Sequence, residues 1–184
     1  AAVTVGELVP LSGLVEIVDY DPAWPRLFAR EAARIGTALG EVALQIEHVG
    51  STSVPGLVAK PLIDILLVVG DSADEPAYVP ALEAAGYVLR IREPDLYRHR
   101  MFKGPDTNVN LHVFSQGCEE IGRMLRFRDW LRAYEDDRLL YERTKRELAR
   151  RPWKHVQNYA DAKTAVVRAI MTRAEQQADW LTPS

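Results

Sequence analysis

The chain has few of the features that mark secreted or membrane proteins. It has one cysteine, Cys118, among 184 residues, so an intrachain disulfide and a cysteine-rich metal site are excluded. Its longest purely apolar run, around residues 65–69, is far shorter than the ~20 residues that a transmembrane helix needs. No charged-then-apolar leader opens the sequence, so we expect no signal peptide. These absences favour a cytoplasmic protein without a membrane partner.

The sequence also lacks a strong charge of either sign. Lys and Arg number 23 against 26 Asp and Glu, which gives a net charge of −3. Proteins that bind duplex DNA usually carry a stronger basic footprint, so we expect no general nucleic-acid binding, although a local site for an anion stays open. Hydrophobic residues make up 47% of the chain, and a chain of this length buries enough surface to fold without disulfides.

Short apolar runs between glycine and proline turns predict strands in the first two-thirds of the chain. The predicted strands cover residues 42–49, 62–69, 87–92, 97–103 and 109–114. A helix is predicted from Asp21-Pro22 to Gly40, because Asp caps a helix, Pro suits its first turn and Gly ends it.

Helical spacing dominates after Gly117. The further predicted helices cover about 80–85, 119–134, 136–150 and 158–177. We therefore predict an α+β fold, in which a mixed sheet with flanking helices is followed by a helical C-terminal third. The predicted domain spans residues 15–177, with its sheet core over about 15–117 and its helical part over about 118–177. An extension of residues 1–14 precedes it and a tail of residues 178–184 follows.

One predicted strand holds an acid among apolar residues. Asp64 lies in the run 62–69, and a buried unpaired carboxylate costs several kcal/mol. A metal, a basic partner or exposure in a cleft must offset this cost. Lys60 could form a structural salt bridge with Asp64, or it could belong with Asp64 to a substrate site.

A turn rich in glycine and serine precedes this strand. Gly50, Ser51 and Ser53 offer backbone N–H groups and hydroxyls, which favour phosphate at a helix start. Ser51 and Ser53 could equally be a simple helix cap. Just before the turn, Glu47 and His48 point to opposite faces of a regular strand, so only one of them can face the cleft; a structural histidine and an exposed acid are the alternatives.

Basic residues elsewhere suggest anion ligands. Alternation places Arg98 and Arg100 on one face of the strand 97–103, and His99 and Lys103 on the other. The two arginines could bind a triphosphate or keep an edge strand soluble. On a later helix, Arg128 and Arg132 share a face, where they could close over a substrate anion or form a structural ion network.

Several sequence runs together resemble the GrpB family, and the resemblance covers residues 15–175. The runs are VDYDPAWP (18–25), IEHVGSTSVPGL (46–57), KPLIDI (60–65), NLHV (110–113) and FRDWLR (127–132), with Tyr159 and Lys163 in the closing helix. A related domain occurs as an accessory part at the C-terminus of some dephospho-coenzyme A kinases. The resemblance implies a nucleotidyltransferase fold of the DNA polymerase beta type.

This resemblance implies a site around Asp64. A nucleoside triphosphate, or another anionic small molecule, would lie against Gly50 and Ser51. Asp64 and His112 would act in catalysis and hold Mg²⁺, and Asn110 would complete the site. That superfamily holds two Mg²⁺ ions with paired acids and a third acid on a later strand.

Here the partner position of Asp64 is Leu66, and Asn110 and His112 stand on the later strand. Two functions therefore remain. One is nucleotidyl transfer to a hydroxyl or amine at an atypical site. The other is a non-catalytic accessory or folding module that binds a nucleotide or a protein partner.

Overall fold

A computed structural model of the chain describes residues 3–4, 16–150 and 156–180. Its strands are β1 (Val3–Thr4), β2 (Gln45–Val49), β3 (Ile63–Val69), β4 (Val88–Glu93), β5 (His99–Lys103) and β6 (Val109–Ser115). They form one sheet in the order β1-β4-β5-β6-β3-β2. β3 and β6 run parallel, whereas the other neighbouring strands are antiparallel. The sheet is therefore mixed, as predicted.

The helices follow the predicted order. They are α1 (Trp24–Leu39), α2 (Val79–Ala84), α3 (Glu119–Ala133), α4 (Glu135–Ala149) and α5 (Val156–Trp180). Asp21 supplies the start signal of α1, since its Oδ1 accepts a hydrogen bond of 2.8 Å from the N–H of Ala23. The α+β class with a helical C-terminal third is confirmed. None of the described helices is long and apolar enough to cross a bilayer.

The sequence interpretation differs from the structure at three places. The strand expected from residue 97 begins at His99, because Tyr97 and Arg98 adopt a positive φ. The strand expected from residue 42 begins at Gln45, because residues 40–42 form a 3-10 turn. Within the predicted extension, β1 pairs with β4 at the edge of the sheet. A two-residue strand is too short to give a period-2 pattern, so the sequence carried no signal for it.

Alternation along β3 gives the sheet one apolar and one mixed face. Ile63, Ile65 and Leu67 are buried in the main core against α1 and α2. Asp64 and Leu66 point to the opposite face. That face is partly covered by α3, whose apolar side chains pack on Leu66 and its neighbours. Asp64 therefore lies on a sheet face that is only partly sealed by helix.

The C-terminal helices pack against the loop that follows residue 50. Val54 and Leu57 of this loop form a buried cluster with residues of α3, α4 and α5, among them Leu131, Tyr141 and Ile170. From the last helix, Ile170 is buried in this cluster and Val166 and Val167 pack against it. This cluster fixes the helical third beside Asp64.

Candidate active site

The turn after β2 approaches the Asp64 carboxylate closely. Val49 pairs with Asp64 in the antiparallel register of β2 and β3. Gly50 then adopts a φ of +74°, and a Cβ at this position would lie 2.5 Å from Oδ2 of Asp64. Only glycine allows both this conformation and this approach. The turn and the acid therefore lie in direct contact.

Hydroxyl groups hold the turn in place. The Ser53 Oγ donates to the carbonyl of Gly50, and the Thr52 Oγ1 donates to the carbonyl of Leu62 at 3.0 Å. These bonds favour the capping interpretation for Ser53. Ser51 is half-buried at the start of the 3-10 turn over residues 51–53.

The later strand brings the predicted partners to Asp64. In the parallel register of β3 and β6, Asp64 lies opposite Asn110, and His112 follows on the same face. The Nε2 of His112 lies 3.0 Å from Oδ1 of Asp64. The Asn110 Oδ1 accepts a hydrogen bond of 2.6 Å from Nζ of Lys103.

Lysines from different parts of the chain interact electrostatically with Asp64 and with one another. The Asp64 charge acts on Lys60, Lys103 and Lys145, and Lys163 repels Lys60 and Lys145. Burial, followed by repulsion from Lys163, lowers the pKa of Lys145 to about 7. Burial likewise lowers the pKa of Lys60 and Lys103. Asp64, with Glu142 acting on Lys145, faces several desolvated lysines, and this excess of cations favours an anionic ligand.

From the sequence, only Lys60 was linked with Asp64, and Lys103, Lys145 and Lys163 were not predicted to belong to the same group. Lys145 has 2% of its surface exposed, and its Nζ donates to the carbonyl of Val58 at 3.1 Å. In the sequence, its only signal was the Tyr141/Lys145 spacing, which places the two side chains on one face of a helix. Among the described ion pairs, which extend to 4.0 Å, Asp64 pairs with His112 and not with Lys60.

The donors at this site do not fit Mg²⁺. Mg²⁺ prefers six oxygen ligands in an octahedron, commonly with carboxylates. Here one carboxylate is hydrogen-bonded to an imidazole and surrounded by ammonium groups, and the second acid position is the fully buried Leu66. Among the described residues, no group of three His, Cys, Asp or Glu side chains could hold a metal. The expectation that Asp64 and His112 hold Mg²⁺ is not supported by this donor set.

Two predicted anion ligands lie elsewhere. Arg100 faces the α1 and α2 side of the sheet, where its Nε donates to Glu75 at 3.1 Å. Arg98 precedes β5 in a turn with φ of +52° and pairs loosely with Asp71 at 3.7 Å. Glu75 pairs with Arg92 as well, so Arg92 and Arg100 belong to one ion network. The triphosphate role considered for Arg98 and Arg100 is not supported at Asp64, because Arg98 lies in the turn before β5 and Arg100 lies on the face opposite Lys103.

Arg128 and Arg132, both on α3, form hydrogen bonds with the end of β2 and the turn after it. Arg128 donates to Glu47 at 2.7 Å and to the carbonyl of His48 at 3.1 Å. Arg132 donates to the carbonyl of Ser53 at 2.9 Å. These contacts favour the ion-network interpretation of Arg128 over the substrate interpretation.

His48 has the structural role that we considered for it. Its ring stacks on Phe28 with centroids 4.9 Å apart, and its Nε2 lies 2.9 Å from the Thr52 hydroxyl. Burial, followed by the charge of Arg132, lowers the pKa of His48 to about 4. The ring is therefore neutral at neutral pH. Glu47, on the other face, is occupied by Arg128.

Comparisons with known proteins identify the family and support the fold. A model of the GrpB protein family matches residues 14–173. The chain is 66% identical to a UPF0157 protein of Halalkalibacterium halodurans, over 94% of this chain and 88% of that protein. It is 31% identical to a dephospho-CoA kinase of Mycolicibacterium paratuberculosis, over 90% of this chain and 47% of the kinase. The crystal structure of GrpB from Enterococcus faecalis matches with a TM-score of 0.73 and 29% identity, over 89% of this chain and 99% of that one.

Proposed function

The chain belongs to the GrpB family, and we propose that it binds a nucleoside triphosphate at Asp64 and transfers the nucleotidyl group to a hydroxyl or amine. The triphosphate would lie between the Gly50 turn and the surrounding lysines. The acceptor would enter beside Asp64, between the sheet and the C-terminal helices.

The excess of lysines over carboxylates supports this proposal most directly. Lys60, Lys103 and Lys145 all have lowered pKa values, because burial desolvates charges that also repel one another. A bound polyphosphate would relieve that repulsion and restore their charge. In this proposal the lysines provide the positive charge that metal ions provide in the related fold.

The reaction follows from this arrangement. The acceptor oxygen or nitrogen attacks the α-phosphorus, a new bond to phosphorus forms, and the bond to the β-phosphate oxygen breaks with release of pyrophosphate. Asp64 takes the acceptor proton, and the lysines stabilise the charge on the phosphates and the leaving group.

A second candidate function is binding without turnover. Leu66 at the second acid position favours it, since a buried leucine contributes nothing to transfer. The similarity to a dephospho-CoA kinase, of which this chain spans 47%, would fit an accessory module. Such a module would bind nucleotide or a protein partner and release no pyrophosphate.

Turnover distinguishes the two functions. The purified chain would be incubated with each of the four ribonucleoside triphosphates and a mixture of small hydroxyl and amine acceptors, and released pyrophosphate would be measured. We expect release by the wild type and a loss of about 100-fold or more in Asp64→Asn. Nucleotide binding with no pyrophosphate release would favour the accessory module, and equal release by both proteins would contradict a role for Asp64.

A further inference from the structure

Four titratable side chains form a continuous row across the mixed face of the sheet. Asp64 on β3, His112 on β6, His99 on β5 and Glu93 on β4 lie on neighbouring strands. The His112 Nε2 lies 3.0 Å from Oδ1 of Asp64. The His99 Nε2 lies 3.0 Å from Nδ1 of His112, and its Nδ1 lies 2.9 Å from Oε1 of Glu93.

The geometry of this row determines how many protons are needed to complete all of its hydrogen bonds. Each of the three contacts needs one hydrogen between its two heavy atoms. Two neutral imidazoles supply only two, because each carries a single N–H and an ionised carboxylate carries none. With two protons, one contact brings two lone pairs together. With a third proton, all three contacts close.

Packing keeps the two rings aligned. His99 stacks on Phe114 with centroids 4.8 Å apart and on His112 with centroids 5.2 Å apart. Asp64, His112 and Glu93 have 25%, 21% and 20% of their side-chain surface exposed, against 11% for His99. Both carboxylates at the ends of the row can therefore exchange protons with solvent.

Other charges face the row from the neighbouring elements. Burial and the His112 charge lower the pKa of His99, the Glu93 carboxylate raises it and Arg100 lowers it. A cavity of about 240 Å³ is lined by three members of the row, Glu93, His99 and His112, and, from α3, by Glu120. Burial raises the pKa of Glu120.

We propose that Glu93, His99 and His112 form a proton relay that takes the acceptor proton from Asp64 and releases it into the cavity beside Glu93. The relay rests on the proposed transfer function. In the two-proton form the open contact lies between Asp64 and His112, where the acceptor proton arrives as its bond to oxygen or nitrogen breaks. Each proton then crosses its own contact: from Asp64 to Nε2 of His112, from Nδ1 of His112 to Nε2 of His99, and from Nδ1 of His99 to Glu93, where it leaves. Both rings then carry Nε2–H, and they return to the Nδ1–H tautomer before the next turnover. Glu93 and His99 are positioning residues in this reaction.

Glu93→Gln is the informative substitution. The Gln side-chain amide can donate to Nδ1 of His99, so both rings then donate from Nε2 and all three contacts close with two neutral imidazoles. This variant keeps the hydrogen bonds and removes the need for the third proton. Glu120→Gln is the matched control, because it lines the same cavity outside the row.

Nitrogen NMR of the imidazoles tests the row without any nucleotide. From about pH 8 to about pH 5, His99 and His112 of the wild type and Glu120→Gln should together take up one proton in a single shared step. In Glu93→Gln this step should be absent, with Nε2–H on both rings. The proposal would be overturned if the two rings titrated separately, or if they stayed neutral throughout the wild-type titration. It would also be overturned if Glu93→Gln titrated like the wild type, or if added Mg²⁺ shifted the His112 signals.

Pyrophosphate release tests the relay during turnover. Glu93→Gln should lower kcat by about tenfold or more, change the pH profile and leave KM for the nucleotide unchanged, while Glu120→Gln should match the wild type. An unchanged kcat and pH profile in Glu93→Gln would overturn the relay. Absence of pyrophosphate release in the wild type would contradict the transfer function and with it the relay's role in catalysis, whereas the NMR result would still show whether the row shares its proton.

Discussion

A Cβ at residue 50 would lie 2.5 Å from Oδ2 of Asp64, so Gly50 is required for the turn and the acid to meet. We expect Gly50→Ala to lower the free energy of unfolding by more than ~1 kcal/mol, since the alanine must adopt a φ of +74° and displace the carboxylate. It should also weaken nucleotide binding, because the triphosphate is proposed to lie against this turn. Urea unfolding and calorimetric titration measure the two effects.

Gly56→Ala is the matched control for this strain. Gly56 has a φ of +81°, but a Cβ there meets no atom within 4 Å. This variant should lose ~1 kcal/mol of stability and keep its nucleotide affinity. Equal affinity losses in both variants would contradict the specific contact between Gly50 and Asp64.

Lys103 and Arg100 provide a second test, because they lie on opposite faces of the same strand. Lys103→Met should weaken nucleotide binding by about tenfold, the loss expected for one charge-assisted hydrogen bond. Arg100→Met should keep the affinity but destabilise the fold, since Glu75 loses one of its partners. Titration calorimetry and urea unfolding of both variants check this. If Arg100→Met lost affinity and Lys103→Met did not, the assignment of the site face would be wrong.

Lys145 predicts a pH dependence of stability. Its pKa is about 7 in the folded chain against 10.5 ordinarily, so between these values the unfolded chain binds more protons. The free energy of unfolding should therefore rise with pH from about 7 towards 10, with up to ~1.4 kcal/mol per pH unit from this group. Lys145→Met should show a shallower rise in urea unfolding at successive pH values. Equal slopes in both proteins would show that Lys145 is not desolvated in the folded state.

Arg128 and Glu47 should be coupled in stability. Their charge-assisted hydrogen bond of 2.7 Å joins α3 to β2 beside the Gly50 turn. A double-mutant cycle with Arg128→Met and Glu47→Gln should give a coupling energy of ~1–2 kcal/mol in urea unfolding. A coupling near zero, together with a large loss of nucleotide affinity in Arg128→Met, would instead make Arg128 a substrate ligand.

Local signals predicted the elements well, and their pairing less well. The helix from Trp24 begins after Asp21 and ends at Gly40 because capping acts within a few residues. The hairpin between β5 and β6 followed from a glycine–proline turn. Asp64 in β3 indicated the site, since burying an unpaired carboxylate in an apolar strand costs free energy in any fold.

Partners distant in sequence could not be predicted. Glu75 takes Arg100 away from the site, and Lys145 reaches Asp64 from a helix some 80 residues later in the chain. Strand alternation placed His99 and Lys103 on one face, but it could not show that β4 would bring Glu93 to His99. Such contacts depend on strand order and helix packing, which local patterns do not specify.

Calorimetric titration of the four ribonucleoside triphosphates tests the central claim most directly, with wild type and Asp64→Asn, each in Mg²⁺ and in a chelator. The lysine site predicts that the wild type binds without Mg²⁺, and that Asp64→Asn binds as tightly or more tightly because a negative charge has left the site. Absence of binding by the wild type, or binding that requires Mg²⁺ and is lost in Asp64→Asn, would contradict the account.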